Sequence, residues 1–79
     1  MKKIRIVIVD DSAVVRKILR ESLASDPEME IVGIAPDGES ALARIEQMTP
    51  DVVTLDVELP GMSGLETLRE IRKRWRRLP

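Results

Sequence analysis

Cysteine and histidine are both absent from this 79-residue chain. Without cysteine there is no disulfide and no thiolate metal site. Without histidine there is no imidazole base, nucleophile or ligand, so histidine chemistry is excluded within the chain. Phenylalanine and tyrosine are missing too, and Trp75 is the single aromatic residue. The core must therefore be built from Ile, Val, Leu, Ala and Met, as in helices packed on a buried parallel sheet. No apolar run approaches the ~20 residues of a membrane span. Met1-Lys2-Lys3 leads into Ile4–Val9, a stretch too short for a signal-peptide core and closed by Asp10-Asp11. A cytoplasmic location is the expectation. No excess of one charge is present either: 13 basic and 14 acidic residues leave a net charge of −1. That balance gives no ground for a nucleic-acid or membrane partner. The one basic cluster, Lys73-Arg74 with Arg76-Arg77, reads as a solvated helix end whose cations complement the C-terminal dipole.

What the chain does have is 43% hydrophobic and 34% charged residues, an ordinary globular balance. The length allows one domain, and a chain this short buries only about 60% of its unfolded surface, so its stability is marginal. Three short apolar runs stand out: Ile4–Val9, Glu30–Ile34 and Val52–Leu55. Near-continuous β-branched runs suit strands buried on both faces. Three amphipathic patterns follow them. Val15, Ile18, Leu19 and Leu23 form the first; Ala41, Leu42, Ile45 and Met48 the second; Leu65, Leu68, Ile71 and Trp75 the third. Asp26-Pro27 and Thr49-Pro50-Asp51 read as stops, Asp37-Gly38 as a turn opening the second helix. Ser63-Gly64-Leu65-Glu66 has capping-box spacing at the start of the third. The order is β-α-β-α-β-α, which predicts right-handed crossovers and a parallel α/β sheet. There is no internal repeat, linker or low-complexity segment.

Asp10 and Asp11 follow the first strand, and Asp56 ends the third. If the strand order is 2-1-3, these ends are neighbours where the order reverses, and open α/β sheets bind ligands in such crevices. Three carboxylates in one pocket need a counter-charge. A hard divalent cation fits, and Mg²⁺ is favoured because it binds through few carboxylates plus a phosphate. Such a cation would also offset the charge of an incoming phosphoryl group. An Asp carboxylate is a competent nucleophile toward that group, giving an acyl phosphate. Taken singly, Asp10-Asp11 reads as a turn with Asp11 or Ser12 capping the first helix, and Asp56 as a solvated loop carboxylate. Together they read as a site.

Ile6-Val7-Ile8-Val9-Asp10-Asp11-Ser12 resembles the first strand and acidic pair of response-regulator receiver domains. Asp56-Val57-Glu58-Leu59-Pro60-Gly61-Met62-Ser63-Gly64 resembles their phosphoacceptor loop. The resemblance covers essentially the whole chain. It implies a flavodoxin-like, doubly wound fold and a role in two-component signalling, with a sensor histidine kinase as phosphodonor. Carried onto this chain, it implies that Asp10 and Asp11 hold Mg²⁺ and that Asp56 is both ligand and phosphoacceptor. Glu58 would lend its backbone carbonyl to the metal, while Pro60 and Gly64 would shape the loop. The stretches Asp10–Arg16 and Thr54–Pro60 look like the receivers of chemotaxis protein-glutamate methylesterases. That implies a parent hydrolase whose C-terminal effector domain is absent here, and a chain that is not itself an enzyme.

The family pattern also carries a Ser or Thr after a fourth strand and a Lys after a fifth. Here Lys73 and Thr67 both fall on the third helix. The implied domain is the N-terminal portion of one receiver, residues 1–79, incomplete and unable to switch. The third strand then becomes an apolar edge at Val52–Leu55, from which a homo-oligomer is expected. Three rival readings remain. Asp56-Val57-Glu58 weakly resembles the motif of aspartyl-nucleophile phosphatases, but that class wants the nucleophile on its first strand. A flavin- or nucleotide-binding half-domain would want a Gly-rich loop after the first strand, and none is present. An inert structural half-fold would carry the same acids idly.

Overall fold

A computed structural model describes residues 3–79; Met1 and Lys2, read above as the lead-in to the first strand, lie outside them. The elements are β1 (Ile4–Val9), α1 (Ala13–Ala24), β2 (Met29–Ala35), α2 (Gly38–Met48), β3 (Val52–Leu55) and α3 (Gly64–Arg74). All strand pairings are parallel and the order is β2-β1-β3, as the sequence predicts. The first crossover runs one way from β1 and the second returns across it. Right-handed connections then place α1 on one face and α2 on the other.

β1 is the centre of the molecule. Ile6, Val7, Ile8 and Val9 are each no more than 3% exposed. Burying an aliphatic side chain of this size contributes about 1.5–3 kcal/mol, so these four residues anchor the sheet. Val7 and Val9 pack with Ala35 and Ala41 on the α2 face, and Leu42, Ile45 and Ile71 close a second cluster between α2 and α3. Of the α2 stripe, Ala41, Leu42 and Ile45 are buried as the spacing predicts, and Met48 is half-buried. α1 has no buried residue, because it lies alone on its face: Val14, Val15 and Ile18 are exposed. On α3 the buried face is Gly64, Thr67 and Ile71, while Leu65 and Leu68 point away from α2 and stay exposed.

Two irregularities shape the sheet. Ile6 pairs with Ile31 but Val7 with Gly33, leaving Val32 as the extra residue of a bulge. Val32 packs on the Val7–Val9 cluster, and a Cβ on Gly33 would also meet Val7, Arg44 and Met48, so both residues face α2. Arg20 and Arg44 flank the outer edge of β2 in one shallow cleft, which discourages pairing there. At the other edge the outcome differs from the fully open strand expected above. The Val53 N–H donates to the Pro79 carbonyl at 2.9 Å, so the tail folds back along β3, and Val52–Leu55 are half-buried.

Candidate metal centre

β1 and β3 deliver their carboxylates side by side. Val9 pairs with Leu55, and the Asp56 N–H donates to the Val9 carbonyl at 3.0 Å. Asp56 therefore emerges beside Asp10. One oxygen from each of Asp10, Asp11 and Asp56 lies within 4.8 Å of the other two. Asp10 and Asp56 are half-buried and Asp11 is exposed.

Each half-buried acid is held by a short turn. Asp10 Oδ1 accepts from the Ser12 N–H at 2.9 Å, and Asp56 Oδ1 from the Glu58 N–H at 3.2 Å. Ser12 then caps α1, its Oγ accepting from the Val15 N–H at 3.2 Å. The Asp10 carbonyl accepts from Arg16 Nη1 at 2.7 Å. Three carboxylates this close repel one another by about 1–3 kcal/mol per pair at effective dielectrics between those of water and a protein surface. An all-oxygen donor set suits a hard cation. Octahedral Mg²⁺ places adjacent ligands about 2.9 Å and opposite ligands about 4.2 Å apart. Three carboxylate oxygens within 4.8 Å of one another lie close to that range, and their all-oxygen chemistry fits the ion.

The loop after Asp56 is pinned at several points. Leu59 packs on the Val7–Val9 cluster and Met62 on the Ile45–Ile71 cluster. Gly61 takes a positive φ of 71° at the exposed tip, a conformation suited to glycine. Ser63 caps α3, its Oγ accepting from the Glu66 N–H at 3.1 Å. Gly64 is buried against the main chain of Asp56 and Val57, where a Cβ would collide with both carbonyls. Glu58 and Pro60 are exposed, and Glu58 turns its amide to the Asp56 carboxylate.

Four residues with a part in this region were not singled out from sequence for it. Arg16 reads there as the polar face of a helix. Thr67 is fully buried, its hydroxyl donating to the Ser63 carbonyl at 2.8 Å, and Gly38 presses against that hydroxyl. The Thr54 hydroxyl is buried without a partner among the described residues, beside a cleft of about 120 Å³ that Asp10, Leu19 and Asp56 also line. The Asp10–Arg16 stretch, the Asp37-Gly38 turn and the Thr54–Pro60 stretch contain three of them, while Thr67 carries no local sign of its role. Away from this centre, a larger cleft of about 630 Å³ lies at the far end of α3, between Ile45, Trp75 and the basic residues Lys73, Arg74, Arg76 and Arg77. Trp75 packs on the cluster of Leu42, Ile45 and Ile71, with the Arg74 guanidinium 6.0 Å above its ring.

Residues 6–79 match the response regulator receiver domain family. A protein-glutamate methylesterase/protein-glutamine glutaminase of Trichodesmium erythraeum is 51% identical over 79 residues, 100% of this chain and 22% of that protein. The chain thus spans about a fifth of the length of the curated relatives it matches. Among solved structures, the response regulator domain of Thermotoga maritima CheB superposes with a TM-score of 0.90 at 40% identity, covering 94% of this chain and 55% of that one. The CheX-CheY-BeF3-Mg complex of Borrelia burgdorferi gives a TM-score of 0.91 at 30% identity, covering 98% of this chain and 58% of that one.

Proposed function

The chain belongs to the response regulator receiver domain family, and from that premise we propose that it is the phosphoacceptor portion of a chemotaxis methylesterase. The carrying observation is the convergence of the Asp10, Asp11 and Asp56 oxygens within 4.8 Å at adjacent strand ends. The relatives at about half identity and the CheB receiver neighbour support the chemotaxis assignment.

In this reading Asp10, Asp11, Asp56 and the backbone carbonyl of Glu58 hold Mg²⁺. When bound, the ion offsets the charge brought together as a phosphoryl group approaches a carboxylate. An Asp56 carboxylate oxygen attacks phosphorus, the bond from phosphorus to the donor breaks, and an aspartyl phosphate forms while the donor leaves with the electron pair and takes up a proton. The Glu58 N–H on Asp56 Oδ1 fixes the carboxylate, leaving its other oxygen to attack. Gly64, packed on the main chain of Asp56 and Val57, would hold the loop close to the site, and Pro60 would shape the loop. The donor would be a sensor histidine kinase and the location the cytoplasm. The regulated partner would be a C-terminal esterase domain in a longer protein, of which residues 1–79 are the N-terminal portion.

After Asp56 the chain's only Lys is Lys73 on α3, and Thr67 is occupied with Ser63. The 79 residues alone would therefore accept phosphate slowly and not switch. Leu55 points its amide to the same outer side as Val53, and edge pairing of two copies through β3 would satisfy it. Light scattering across a concentration series tests that pairing, and a monomer throughout would refute it.

The phosphoacceptor reading is tested by incubating the chain with Mg²⁺ and acetyl phosphate and following intact mass. One added phosphoryl group, abolished by Asp56→Asn and by a chelator, is the expected result. An unmodified mass at all donor concentrations would overturn it.

A further inference from the structure

Asp10 is gripped at three points. Its N–H donates to the Ala35 carbonyl of β2 at 3.0 Å, its Oδ1 accepts from Ser12 at 2.9 Å, and its own carbonyl accepts from Arg16 Nη1 at 2.7 Å. The first two bonds are made by the strand and the turn itself. The third comes from α1, whose first turn is fixed by the Ser12 cap and by the Arg16 N–H on the Ser12 carbonyl at 2.9 Å. Arg16 is half-buried, while Arg20, one turn further on, is exposed. The guanidinium thus ties the helix to the acidic turn from above.

Two effects of opposite sign follow. A positive charge beside the Asp10-Asp11-Asp56 cluster repels a divalent cation. A fixed Asp10 main chain, on the other hand, removes the ordering cost of converging the carboxylates, and partners of metal ligands are typically worth 10–100-fold in affinity. The charge is spread over a planar group that is only half-buried, so solvent screens part of it, whereas the 2.7 Å bond acts directly on a ligand residue. We propose that Arg16 is a positioning residue of the metal centre, strengthening divalent-cation binding despite its charge by holding the Asp10-Asp11 turn. The inference rests on the reading of the three aspartates as a Mg²⁺ site.

The test is Mg²⁺ titration calorimetry on the wild type, Arg16→Met, Arg16→Lys and Arg20→Met, with circular dichroism confirming that each is folded. Hydrogen exchange of the Ser12 amide is measured without metal. Arg16→Met is expected to weaken Mg²⁺ binding about tenfold or more and to speed Ser12 exchange. Lys, with one compact ammonium, falls between Met and wild type, and Arg20→Met stays within about twofold. Binding by Arg16→Met that equals or exceeds the wild type would overturn the proposal, since charge would then outweigh position. If the wild type binds no Mg²⁺ while Ser12 exchange responds as expected, the metal reading fails and the positioning of the turn by Arg16 stands. If Ser12 exchange does not respond, the positioning fails.

Discussion

Gly64 lies against the main chain of Asp56 so closely that a Cβ at position 64 would fall on the Asp56 and Val57 carbonyls. Its N–H donates to the Val57 carbonyl at 2.9 Å, so the helix cannot back away without losing that bond. Gly64→Ala is expected to cost about 1–3 kcal/mol, as overpacking does, and to weaken Mg²⁺ binding by moving the loop that carries Asp56. Urea denaturation and a Mg²⁺ titration check both effects. Unchanged values would show that the loop yields without moving Asp56.

Gly38 and Thr67 form a similar lock between α2 and α3. A Cβ on Gly38 would strike the Thr67 hydroxyl and press on Met62. Gly38→Ala should therefore destabilise the chain, and adding Thr67→Ala should recover part of that loss. A double-mutant cycle is expected to give a coupling of about 1 kcal/mol. Strict additivity would show that the two residues do not share the space.

Asp37 caps α2. The Ser40 N–H donates to its Oδ1 at 2.8 Å and the Ser40 hydroxyl does so at 2.8 Å. The backbone bond first, then the hydroxyl bond, holds this carboxyl below the ordinary value for aspartate. A lowered pKa means that the contribution is fully present above the unfolded value of about 3.9 and is lost as pH falls through the folded value. Asp37→Ala is expected to lower Tm by a few degrees at pH 7, and the difference from wild type should shrink below about pH 4. Melting curves across pH 2–7 check this. A difference that persists at the acid end would remove the carboxylate from the account.

Ile45 is 1% exposed and packs with Leu42 and Ile71 where α2 meets α3. Ile45→Ala should cost about 2–5 kcal/mol. Small domains have roughly 5 kcal/mol in total at the low end, so the variant is expected to lose its cooperative thermal transition. A sharp melt close to that of the wild type would mean that the cluster collapses around the gap.

Strands and acids were the legible part of this fold. Val52–Leu55 and Ile4–Val9 are strands over the residues that their apolar runs mark, and Asp10, Asp11 and Asp56 meet because adjacent parallel strands end together. The helix faces were less legible. Leu65 and Leu68 read as core from their spacing but are exposed, while polar Thr67 is fully buried. Thr67 can be buried because its hydroxyl is satisfied within its own helix, on the Ser63 carbonyl; spacing does not reveal such a bond. Arg16 belongs to the Asp10–Arg16 stretch, but its bond to the Asp10 carbonyl depends on the angle at which α1 leaves the turn, which that stretch alone does not specify. The Pro79 contact with Val53 is likewise a tertiary meeting of a turn with a strand edge.

The bulge at Val32 gives β2 a tolerance of one residue in its length. Ile31 and Gly33 sit opposite consecutive β1 residues, Ile6 and Val7. Removing Val32 would join them into an unbroken ladder and leave Ile34 and Ala35 on the sides they already occupy. A deletion within the regular part of β1 would instead turn every later side chain inside out. The strand thus has a built-in splice point, where the chain can shorten by one residue and the sheet keeps its parity.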